Sequence, residues 1–124
     1  MIKDDEILPH HIRQFIRDMT LEALVGNDPT MIREFLQDFR SSATQIAAEM
    51  KTAYAAGQAA RVGVLAHKLK SSARSVGALA LGELCEEMEQ AGKAGQIEAL
   101  ATLLPRFDAE MAAVEYYLNS LAGR

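Results

Sequence analysis

His67 lies in the stretch Ala66-His67-Lys68-Leu69-Lys70-Ser71-Ser72, and its surroundings could support chemistry. Val62, Leu65, Ala66, Leu69, Ala73 and Val76 recur at helical spacing and mark one apolar stripe. At about 3.6 residues per turn, His67 falls nearly opposite the centre of that stripe, so its imidazole is expected to face water. Gly63, Lys70, Ser71 and Arg74 fall on its face, four residues before it and three, four and seven after it. A neutral imidazole so placed can attack phosphorus and become phosphohistidine. Lys70, one turn on, can neutralise and hydrogen-bond phosphoryl oxygens, and its charge disfavours a protonated ring. The residues alone equally allow a solvated surface histidine with no role. Helical phase argues against a core histidine. A metal ligand would want His, Cys, Asp or Glu one turn away, and those positions hold Lys70 and Ser71, so no metal is expected.

The string from Ala66 to Ala78 resembles the signature of histidine-containing phosphotransfer (HPt) domains, roughly A-H-x-L-K-G-S-x-x-x-x-G-A followed by L-x-x-x-C-x-x-x-E. Leu81, Cys85 and Glu89 supply the second half. Gly26-Asn27-Asp28-Pro29, with Phe35, Leu36 and Phe39, looks like the family's first core helix. The resemblance spans about residues 20–121. It implies that His67 is phosphorylated and that Lys70 is the phosphate partner. Helical spacing and the local positive charge lead us to expect Gly63, Lys68, Ser71 and Arg74 in the docking and phosphate vicinity. The resemblance also implies relay of a phosphoryl group between receiver-domain aspartates, the receivers belonging to a hybrid sensor kinase and a response regulator. Ser71 departs from the pattern, since the family usually has glycine after the lysine. Its hydroxyl falls on the His67 face, where it can donate to phosphate or crowd a partner.

These residues need a rigid support. Residues 1–6 are polar and expected to fray. Leu8, Ile12, Phe15, Ile16 and Met19 predict a short amphipathic helix capping one end, and Thr20 opens a second turn through Leu21, Leu24 and Val25. Asp28 is a good N-cap before Pro29. The helix from there to about Ala55 is expected to bury Ile32, Phe35, Leu36, Phe39, Ala43, Ile46 and Met50. Gly57 stops it. A helix from about Gln58 to Ser75 carries His67, and Gly77 breaks it. The next, about Ala78 to Ala91, buries Leu81, Leu84, Cys85 and Met88, and Gly92 and Gly95 are read as its end. The last runs from about Ile97 to Leu121 on Leu100, Leu104, Phe107, Met111, Val114, Leu118 and Leu121. Pro105 should kink or interrupt it, and Tyr116 and Tyr117 are read as packing residues. The expected fold is all-α: an up-down-up-down four-helix bundle in one domain, with a core over about 28–121.

With 124 residues, 49% of them hydrophobic and 24% charged, the chain reads as one globular domain. It has no long apolar run and no signal pattern, so membrane insertion is not expected. A single cysteine leaves no internal disulfide and points to the cytoplasm. The net charge of −4 argues against nucleic acid. No acidic residue falls between Met50 and Gly82, where Lys51, Arg61, Lys68, Lys70 and Arg74 suggest a positive docking field. A receiver is therefore expected to dock over this helix, helped by Leu8, Ile12, Phe15 and Ile16. Gly-rich phosphate loops and acidic Mg²⁺ clusters are missing from the sequence, so neither autokinase activity nor a cofactor is expected. His10 and His11 are adjacent, point apart and carry no assigned role. The chain is expected to act as a monomer. Two other readings compete: an interaction bundle without phosphotransfer, and a phosphohistidine phosphatase. The second would need a further base or metal near His67, which the sequence does not show.

Overall fold

The computed structural model describes residues 29–122 and, within them, the side chains of residues 33–119. The expected N-terminal helix and turn, the Asp28 cap, His10 and His11, and the burial of Ile32 and Leu121 lie outside the described residues. Four helices occupy the described region: α1 (Pro29–Ala55), α2 (Ala59–Ser75), α3 (Leu79–Lys93) and α4 (Ile97–Ala122). Each packs on its neighbour in sequence, and α1 also packs on α4, which closes the ring of an antiparallel bundle.

Three-residue connections force the up-down course, and they share one chemistry. The Gln58 N–H donates to the Ala53 carbonyl at 2.9 Å, Ala78 to Ala73 at 2.8 Å, and Gln96 to Ala91 at 2.9 Å. Each bond spans five residues and satisfies a carbonyl the helix end would otherwise leave unpaired, as in a Schellman closure. The residue before each donor is glycine, with φ of 73° at Gly57, 84° at Gly77 and 68° at Gly95. A side chain in that left-handed conformation costs roughly 1–2 kcal/mol, which glycine avoids.

The apolar stripes meet along the bundle axis. Met50, Val62, Leu65, Leu69, Leu81, Met88, Leu100 and Phe107 are among the largest fully buried side chains. Each contributes roughly 1.5–3 kcal/mol relative to exposure. The expected stripe of α2 is buried in full, from Val62 to Val76. Two aromatic expectations fail. Phe35 is 46% exposed: Leu36, Phe39, Ala43, Ile46 and Met50 define the buried face of α1, and Phe35 sits at its margin, about 60° from its centre. Tyr116 is likewise 46% exposed, whereas its neighbour Tyr117 is buried. Pro105 does not interrupt α4. It and Ala101, whose carbonyl loses its N–H partner, are both solvent-facing, so water can replace the missing bond.

Candidate functional site

Helices α2 and α3 approach most closely at a pair of glycines. A Cβ built on Gly92 would lie 2.6 Å from the Gly63 Cα and 2.7 Å from the Ala59 carbonyl oxygen. One built on Gly63 would meet the Glu89 carbonyl oxygen at 3.2 Å. Gly92 therefore does not end α3, which runs on to Lys93; it admits the neighbouring backbone. Gly63, expected near the phosphate, is buried at this crossing and acts through packing.

From that crossing an antiparallel register runs along the seam. Gly63 meets Gly92, His67 meets Glu89, Lys70 meets Glu86 and Glu89, and the Arg74 stem covers Gly82. A Cβ on Gly82 would lie 3.1 Å from the Arg74 Cγ. These α2 residues are spaced four, three and four apart, so they follow one edge of the helix. That edge borders the apolar stripe and faces α3. Lys68 and Ser71 lie on the outward side of His67 and are exposed, as is Val64 at 54%.

The His67 side chain is 60% exposed, yet it is held. Its Nδ1 lies 2.9 Å from Glu89 Oε2. A carboxylate can only accept, so Nδ1 carries the proton and donates it. In the neutral ring Nε2 then bears the lone pair, and it has no hydrogen bond among the described residues. Glu89 is the one buried charged residue of the described core. Its Oε1 accepts from Lys70 Nζ at 2.5 Å, and its Oε2 forms an ion pair with Lys93 Nζ at 3.1 Å. The Lys70 hydrogen bond, aided by Lys93 and the nearby His67, overcomes the opposing effect of burial and holds this carboxyl down at about 2.

Lys70 is not the free cation that its place in the sequence suggests. Its side chain is 12% exposed, and it also donates to Glu86 Oε1 at 3.2 Å. The hydrogen bond to Glu89 raises its pKa above the ordinary lysine value, against the effect of burial. Glu86 is itself steadied by Gln90 Nε2, which donates to its Oε2 at 2.9 Å, and its pKa is lowered by that bond and by Lys70. The acid-free stretch from Met50 to Gly82 is therefore not acid-free in space. Lys70 is compensated from α3, and Lys51 pairs with Asp108 at 3.1 Å. Arg61, Lys68 and Arg74 form no ion pair among the described residues, so they carry what remains of the positive field.

Sequence reasoning assigned no role to Glu89, Glu86 or Lys93. A signal for Glu89 existed: it continues the buried series Leu81, Cys85 at i+4 spacing, where a carboxylate needs a partner. Cys85 is fully buried, as expected, and desolvation pushes its thiol up to about 12, so it stays protonated and inert. Among the described residues no group of three or more His, Cys, Asp or Glu is arranged to hold a metal ion, and no helix is long and apolar enough to cross a membrane.

The profile of the Hpt domain family matches residues 34–117, which take in α2 and α3 whole, most of α1 and α4, and every residue of the His67 cluster. No curated protein and no solved structure matches the chain. A closed helical bundle with a held, exposed histidine on its second helix agrees with that match over more than half of the sequence. The chain belongs to the Hpt domain family, whose members are phosphocarriers of two-component systems, act with receiver domains of response regulators and are not kinases.

Proposed function

We propose that this chain relays a phosphoryl group from the receiver domain of a hybrid sensor kinase to that of a response regulator, through phosphohistidine at His67 Nε2. The hydrogen bond from Nδ1 to buried Glu89 carries this reading, because it fixes the tautomer and leaves Nε2 as the nucleophile on an exposed ring. On loading, the Nε2 lone pair forms the N–P bond while the P–O bond of the aspartyl phosphate breaks, and its electron pair stays on the aspartate carboxylate. The ring becomes an imidazolium facing the Glu89 carboxylate, and its Nδ1 proton does not move. On discharge the N–P electrons return to Nε2 as a carboxylate oxygen of the next receiver takes the phosphorus. Lys70, within reach of the same edge, offers an N–H to the phosphoryl oxygens. Val64, Lys68 and Ser71 surround His67 on the outward face, and with Arg74 they form the surface a receiver would cover.

The test is to incubate the chain with a phosphorylated receiver domain and map acid-labile phosphate. Label should appear on His67 and vanish in His67→Gln. Glutamine can still donate to Glu89, so this variant should keep its stability within about 1 kcal/mol. Label retained in the variant would refute the site. Receiver binding without transfer would favour an interaction bundle.

A further inference from the structure

The cluster holds one more carboxylate than the ring needs. Glu89 alone receives the Nδ1 proton. Glu86 contacts Lys70 and Gln90 and is 38% exposed, against 5% for Glu89, so packing does not demand an acid there. With a neutral imidazole, Lys70 and Lys93 balance Glu86 and Glu89. An arriving phosphoryl group brings close to two negative charges on its oxygens, only one of which the imidazolium ring offsets. The Lys70 ammonium has three N–H donors, and both carboxylates already draw on them. Glu86 therefore competes for the cation that the loaded state needs and repels phosphoryl oxygens, while it stabilises the empty state.

We propose, resting on the reading of His67 as the carrier, that Glu86 is a positioning residue: it holds Lys70 partly back from the phosphoryl group and so keeps the phosphohistidine easy to discharge. A relay intermediate that bound its cargo too well would retain it. The carboxylate lowers the stability of the loaded form without touching the reacting nitrogen, so loading and unloading stay close in free energy.

The experiment uses phosphoramidate as donor with the whole chain. The P–N bond of phosphoramidate breaks and ammonia leaves as the Nε2–P bond forms. Phosphorus NMR reads the loaded fraction at a fixed ratio of phosphoramidate to ammonium ion, for the parent chain, Glu86→Gln, Glu86→Asp and His67→Gln. Glu86→Gln should raise the exchange constant about threefold or more, the scale of a charge interaction at a half-exposed site. The gain should shrink at high salt, which a merely structural effect would not do. Glu86→Asp, which keeps the charge, should stay close to the parent chain. A constant unchanged or lowered in Glu86→Gln, with His67 labelled, would overturn the role of Glu86. No label on His67 in the parent chain would overturn the site reading and this proposal with it.

Discussion

Replacing Lys70 by alanine would leave Glu89, its side chain 5% exposed, with Lys93 as its remaining lysine partner. The sequence alone makes Lys70 a surface cation whose loss spares the fold; the geometry predicts otherwise. Lys70→Ala should both slow phosphoryl transfer by about tenfold or more, the value of a charge-assisted hydrogen bond, and destabilise the bundle. Lys70→Ala combined with Glu89→Gln separates the two roles. Denaturant midpoints should recover in the double variant because the stranded carboxylate is gone, while transfer should remain slow. Recovery of both, or of neither, would contradict the assignment. Glu89 also sets an acid limit. Its folded carboxyl is depressed from an ordinary value near 4.5 to about 2. Its contribution to stability is therefore present above about 4.5 and is lost as pH falls through about 2. Urea midpoints followed down that interval should fall in the parent chain and fall less in Glu89→Gln. His67 was legible from its phase opposite the apolar stripe, but its hold on Glu89 was not. Helical phase places a residue on its own helix and does not reveal what the next helix brings to it.

At the scale of elements, Gly57 and Gly92 are indispensable for different reasons, and one substitution tells them apart. Gly57 has nothing within 4 Å of a built Cβ, so Gly57→Ala is opposed by its φ of 73° alone, roughly 1–2 kcal/mol. Gly92 has helical neighbours and would gain helix propensity as alanine, about 1 kcal/mol. Its Cβ would nonetheless sit 2.6 Å from the Gly63 Cα, so α2 and α3 must part, at a cost of about 1–3 kcal/mol or more. Gly57→Ala should lower the denaturant midpoint and leave labelling of His67 unchanged. Gly92→Ala should lower the midpoint and impair labelling too, since it separates His67 from Glu89. Unimpaired labelling would show that the close crossing does not position the site. The glycines at 57 and 77 were legible as breaks because each ends a periodic run, and Gly95 could be read the same way. Gly92 was read as one more break because a glycine at a crossing and a glycine at a stop look alike until the partner helix is known.

For the whole molecule, charge is distributed less simply than along the chain. Lys70 and Lys51 are compensated by α3 and α4, and Arg61, Lys68 and Arg74 are left to face a partner. Titration with a cognate receiver should show an association rate that falls with added salt, with amide shifts centred on Val64, Lys68 and Ser71. A salt-insensitive rate, or shifts confined to α4, would count against docking at this face. Charge-reversed Lys68→Glu should slow association more than it speeds dissociation. The bundle itself was legible because four amphipathic runs with glycine-closed ends leave few other ways to bury their stripes. The exposed Phe35 and Tyr116 were not, because at the margin of a stripe the neighbouring helices decide burial.

Every residue of the His67 cluster belongs to a single helical hairpin, from Ala59 to Lys93, closed by the short turn at Gly77. The loop to be closed is small, so its contacts are cheap in chain entropy and fast to find. The hairpin is therefore expected to be a folding nucleus, with the site assembled before α1 and α4 enclose it. Amide protons of α2 and α3 near the glycine crossing should gain protection earliest in pulse-labelled refolding. Ala66→Gly should slow folding more than it speeds unfolding, and the same change at Ala43 should do the reverse.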